Sequence, residues 1–127
     1  MINKKYSESL EDYLEAIYIY GGVHVKSIDL AKHLDVSRAS VNKAINILKE
    51  KGLVDKALYG DISLTEKGLE ISKDVMWKHN VLKRFFVEIL DVEPKRANKE
   101  ACGVEHSISS ETTVKLEKLI DKLQTEE

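Results

Sequence analysis

The chain has one cysteine, one proline, one tryptophan and only two phenylalanines in 127 residues. A single thiol, Cys102, excludes an internal disulfide framework and suits a reducing cytoplasm, where the protein is expected. No apolar run approaches the roughly 18–20 residues of a bilayer-spanning helix. The start, Met1-Ile2-Asn3-Lys4-Lys5, is not followed by the apolar core of a secretory signal, so none is expected. Internal repeats, low-complexity segments and long linkers are missing. So are a phosphate-cradling glycine loop and an ordered Ser/His/Asp set, and no enzyme is expected.

A large charge of either sign is lacking too. Twenty Lys and Arg face 22 Asp and Glu, for a net charge of −2, with 43% hydrophobic and 33% charged residues. That is a globular composition, sufficient for one core or for two small lobes sharing a helix. The charge is unevenly spread. Residues 26–56 hold seven bases (Lys26, Lys32, Arg38, Lys43, Lys49, Lys51, Lys56) against four acids, whereas residues 1–25 and 74–127 are each at −2. The total argues against a generic basic nucleic-acid coat and leaves one internal basic segment to explain.

Periodicity supplies the elements. Leu10, Tyr13, Leu14, Ile17 and Tyr18 form one stripe of a helix over 7–20, capped by Ser7 and ended by Gly21-Gly22. Ser27 is placed as the cap of a short second helix with Ile28, Ala31 and Leu34 inward. After the turn Asp35-Val36-Ser37, Ser37 caps a third helix, 38–51, with Val41, Ala44, Ile45 and Leu48 inward and Gly52 at its end. Leu53–Leu58 and Asp61–Leu64 read as a hairpin around Tyr59-Gly60. Thr65 caps a long helix to about Leu90, with Gly68 as a minor weakness. Its inward residues are expected to include Leu69, Val75, Met76, Leu82, Phe85, Phe86 and Ile89. Pro94 opens another helix, 94–106. Ser109 or Ser110 caps the last, with a stripe of Leu116, Leu119, Ile120 and Leu123 and a fraying tail. The expected fold is mostly α: a winged helix-turn-helix with a small hairpin wing over 1–73, then a helical dimerisation domain over 74–127.

Helix, tight turn, helix and hairpin in that order form a DNA-reading constellation. The third helix starts with short polar residues, Ser37, Arg38, Ala39 and Ser40, so a phosphate or base edge can approach its free amides. Arg38, Ser40, Asn42 and Lys43 avoid the buried face, and Lys56 on the hairpin suits a backbone phosphate. These seven residues are the DNA-contact candidates. One copy reads about half a site, so a two-fold dimer on double-stranded operator DNA is expected.

Two clusters carry metal-ligand chemistry. Asp12 and Glu15 are i, i+3 on the first helix. Cys102, Glu105 and His106 are i, i+3, i+4 on the Pro94 helix, and His79 on the long helix offers a further donor. Carboxylate, imidazole and thiolate suit a divalent transition metal. Each fragment alone has an ordinary explanation: a core histidine, a small buried cysteine, acids at a helix start.

The ordered set is more specific. Glu11-Asp12-Tyr13-Leu14-Glu15, Leu64-Thr65-Glu66-Lys67-Gly68, His79 and Ala101-Cys102-Gly103-Val104-Glu105-His106-Ser107-Ile108-Ser109 together resemble the diphtheria toxin repressor family of metal-dependent repressors, including its manganese transport regulator branch. The resemblance covers roughly residues 7–123. It implies an Mn(II)- or Fe(II)-activated repressor of metal-homeostasis genes that dimerises through its C-terminal helices. It implies Asp12, Glu15, His79, Glu105 and His106 as ligands. Position 102 departs from the manganese branch, which has Glu, and matches the iron branch, which has Cys. Asp12 departs from the iron branch, which has Met there. Lys83 and Asn98 stand where the iron branch builds an ancillary site. The chain also lacks that branch's SH3-like third domain, so a short two-domain form is expected. The set accommodates one or two ions. Asp12 favours Mn(II) or Fe(II), and Cys102 admits softer ions such as Co(II) or Zn(II). The competing reading is a winged-helix regulator that answers a small organic ligand, or none, and has no metal site.

Overall fold

The computed structural model describes residues 7–126. Two compact units divide between Lys73 and Asp74.

The first unit begins with α1 (Glu8–Ile19). Its N-cap Ser7 accepts a hydrogen bond from the Leu10 amide, and Tyr13, Leu14, Ala16 and Ile17 are buried. In α2 (Ser27–Leu34) the expectation needs correction. Ser27 is the first helical residue, and the cap, Lys26, makes no side-chain cap bond. The inward face is Leu30 and Ala31, whereas Ile28 is exposed. An eight-residue helix has barely two turns, so its neighbours rather than its own periodicity set which face is covered. Asp35 then takes a left-handed conformation. Ser37 caps α3 (Arg38–Glu50), whose buried residues are Val41, Ala44, Ile45 and Leu48, as their spacing predicts. Gly52, at φ +74°, closes it, and the Leu53 amide donates back to the Leu48 carbonyl.

The wing is shorter than the apolar runs suggest. β1 (Val54–Lys56) pairs antiparallel with β2 (Ile62–Leu64), Val54 opposite Leu64. Val25 adds a bridge on the outer edge: Val25 and Ile62 exchange two 2.8 Å backbone hydrogen bonds. Leu58 and Tyr59 at the tip are exposed. The core of this unit includes Leu14, Ile17, Leu30, Ile45, Leu48, Leu53, Val54 and Ile62.

Next comes α4 (Glu66–Arg84), which starts in the first unit and continues into the second. Thr65 Oγ1 accepts from the Gly68 amide and donates to the Gly52 carbonyl. A Cβ at Gly68 would overlap the backbone carbonyl oxygen of Leu53. Gly68 is therefore a close-approach position rather than a mere weakness. The helix does not stay α-helical to Leu90. A π turn covers Phe85–Ile89, with the Leu90 amide bonded to the Phe85 carbonyl.

In the second unit, Glu93 caps α5 (Pro94–Val104) through the Lys95 and Arg96 amides. Ser109 caps α6 (Ser110–Thr125). Val75, Val81, Leu82, Ala97, Ala101 and Ile120 are buried. The stripe on α6 is only partly covered: Ile120 is buried, but Leu119 is 44% and Leu123 37% exposed.

Candidate metal centre and nucleic-acid interface

Three donors converge within the second unit. His79 from α4, Cys102 from α5 and Glu105 at the end of α5 each offer one ligand atom, all within 4.8 Å of one another. His79 Nδ1 lies 2.6 Å from Glu105 Oε1 and 3.6 Å from Cys102 Sγ. His79, Glu105 and His106 are buried, while Cys102 is exposed at the edge of the group. Local structure explains the convergence. The α5 helix ends at Val104, earlier than expected, but Glu105 keeps helical angles and its amide bonds the Ala101 carbonyl. The i, i+3 relation of Cys102 and Glu105 therefore survives, and His106 falls in the following turn.

The electrostatics are those of a proton held where a cation could sit. His79 is pushed up from its ordinary 6.5 to about 10, by Cys102 first and then Glu105, against the opposing effect of burial. Nε2 on the other side of the ring lies 2.9 Å from Asn98 Oδ1. Both ring nitrogens thus face acceptors, which an imidazolium satisfies. Glu105 Oε2 is buried and takes no hydrogen bond. His106 Nε2 lies 3.8 Å from it. A buried carboxylate oxygen left in that state is costly, and a cation would relieve it. The donor set of imidazole, thiolate and carboxylate fits a divalent transition metal.

Asp12 and Glu15 lie in the first unit, one turn apart on α1 and both half-buried. Sequence reasoning treated Asn98 only as a departure from an ancillary site. Its contact with His79 depends on a partner 19 residues away, which no spacing rule reveals.

Ser37, Arg38, Ala39, Ser40, Asn42 and Lys43 are all exposed on the first turns of α3, opposite its buried face. Ser37 Oγ accepts from the Ser40 amide and donates to Ser40 Oγ, which ties up both hydroxyls locally. Arg38, Asn42 and Lys43 remain as the long donors of this face. Lys56 on β1 is half-buried.

An exposed reading helix with a wing, joined through α4 to a unit with three converging metal donors, defines a class: the metal-responsive, DNA-binding transcriptional regulators. Comparison with known proteins makes this specific. Residues 5–62 match the N-terminal DNA-binding domain of iron-dependent repressors, and residues 65–127 match their metal-binding and dimerisation domain. The chain belongs to the iron-dependent repressor family.

Its relatives are transcriptional regulators. An uncharacterized HTH-type transcriptional regulator of Methanocaldococcus jannaschii is 37% identical, over 93% of this chain and 97% of its own length. The HTH-type transcriptional regulator MntR of Shouchella clausii is 31% identical, over 91% of this chain and 82% of its own. Among solved structures, a manganese-dependent transcriptional repressor in complex with manganese superposes with a TM-score of 0.81 and 26% identity, over 88% of this chain. The chain spans about half of that repressor, 52% of its length.

Proposed function

We propose that the protein is a cytoplasmic, homodimeric repressor that binds operator DNA when Mn(II) or Fe(II) is available, and that it is not an enzyme. The observation that carries this reading is the convergence of His79 Nδ1, Cys102 Sγ and Glu105 Oε1, together with a buried Glu105 oxygen that lacks a hydrogen bond. His79, Cys102, Glu105 and His106 are the proposed ligands from the second unit. Asp12 and Glu15 are proposed from α1, on the family resemblance alone. Arg38, Ala39, Ser40, Asn42 and Lys43 are proposed to meet base edges and phosphates, with Ser37 holding the helix start and Lys56 a backbone phosphate.

When bound, a divalent ion would supply to Glu105 and Cys102 the positive charge that the His79 proton supplies without it. The residues do the rest. Glu105 and His79, now in contact through a shared proton, would hold the ion. Ligation by Asp12 and Glu15, which rests on the family resemblance, would make metal binding sensitive to α1. This is a population shift, so metal and DNA must each tighten the other's binding.

The test is duplex selection from a random pool in Mn(II), then fluorescence anisotropy on the selected site. Addition of Mn(II) or, anaerobically, Fe(II) should raise affinity at least about tenfold, within the usual range of coupling energies. Asp12→Ala should lose that gain while still folding without metal. Equal DNA affinity with metal and with EDTA would refute the proposal and favour the metal-free winged-helix reading.

A further inference from the structure

Asn98 stands on α5 one turn before Cys102, on the face that also carries Glu105. Its Oδ1 lies 2.9 Å from His79 Nε2, while Nδ1 of the same ring faces Glu105 and Cys102. A neutral imidazole has one N–H and one lone pair, and only the lone pair binds metal. With the proton on Nδ1, the lone pair would point at Asn98 and away from the other two donors. With the proton on Nε2, the lone pair points into the cluster. An amide oxygen accepts and cannot donate, so it stabilises the second arrangement alone.

We propose that Asn98 is the positioning residue of the metal centre: its Oδ1 holds the proton on His79 Nε2 and so presents Nδ1 to the ion. This rests on the reading of His79 as a ligand. Ligating histidines commonly bond their other nitrogen to a carboxylate or carbonyl, and loss of such a partner weakens metal binding about 10–100-fold. Asn98 touches no ion in this scheme and acts through His79. The position also explains why an amide serves where a basic side chain would not. A lysine there would donate to Nε2 and favour the wrong tautomer.

The test uses the full chain with Asn98→Ala and Asn98→Asp. Anaerobic Co(II) titration, followed through the thiolate-to-cobalt absorption, gives affinity. Zinc-loaded protein with 15N-labelled histidine gives the tautomer, because metal-bound and protonated ring nitrogens differ in shift and coupling. Wild type should show a metal-bound Nδ1 and a protonated Nε2 on His79. N98A should bind Co(II) about 10–100-fold more weakly. N98D, which still accepts, should restore affinity and the same ring pattern. A merely structural role would lower the metal-free melt of N98A and leave N98D binding Co(II) no more tightly than N98A.

Wild-type Co(II) affinity in N98A would overturn the assignment of Asn98 and leave the metal reading intact. A metal-bound Nε2 in the wild type would also overturn it. Absence of both the cobalt band and any zinc-dependent change at His79 in the wild type would overturn the metal reading itself.

Discussion

His79 is the residue on which the chemistry of the second unit turns. It is raised to about 10 by Cys102 and Glu105, so the metal-free protein carries a proton there at neutral pH. The folded value lies above the unfolded one, near 6.5. The stabilisation is therefore fully present below about pH 6.5 and is lost as pH rises toward about 10. Thermal melts in EDTA across that window should show a decline for the wild type that His79→Gln lacks. Parallel curves for the two proteins would contradict it. Metal binding has the opposite dependence. With His79 as the proposed ligand, an ion has to displace the Nδ1 proton, so metal affinity is expected to rise with pH over the same range. The Cys-x-x-Glu-His spacing and the lone His79 were legible in the sequence because these residue types are ligands by nature. Asn98 was not, because an amide is an everyday helix-surface residue until its partner is known.

At the scale of elements, Gly68 sets helix propensity against packing. Propensity alone says that Gly68→Ala should stabilise α4 by about 1 kcal/mol. The added Cβ would overlap the carbonyl oxygen of Leu53, which is backbone and has little freedom to yield. Overpacking of this kind costs about 1–3 kcal/mol, so the packing term should win. Urea denaturation of G68A should show net destabilisation, and a more stable variant would sink the argument. The caps Ser7, Ser37, Thr65 and Ser109 were readable because each places a hydroxyl before an apolar period, and each makes its bond. The π turn at Phe85–Ile89 was not readable, since an i→i+5 bond leaves no distinctive side-chain pattern over five residues. The bridge at Val25 was missed for a similar reason: one pair of hydrogen bonds is too short a strand to show alternation. In α2 the spacing favours Ile28, yet Leu30 is the buried residue, because a two-turn helix fits two faces almost equally well.

At the scale of the whole molecule, α6 leaves Leu119 and Leu123 exposed one turn apart, in a region that matches the family's dimerisation domain. Burial of two such leucines between copies is worth several kcal/mol by area. Sedimentation equilibrium should find a dimer for the wild type, and Leu119→Glu should shift it toward monomer and weaken DNA binding. A dimer of unchanged strength in L119E would place the contact elsewhere. The uneven charge takes its meaning at this scale too: the basic excess falls on the unit with the reading helix, and Glu105 of the acidic remainder sits among the metal donors. Cys102 is the chain's sole sulfhydryl and stands at the solvent edge of those donors. With Cys102 as a proposed ligand, its rate of alkylation by a maleimide is expected to report the state of the centre without any engineered label. Each modified chain gains one fixed mass, no second thiol competes, and the balance of tagged and untagged protein in a cell extract becomes a gauge of metal status.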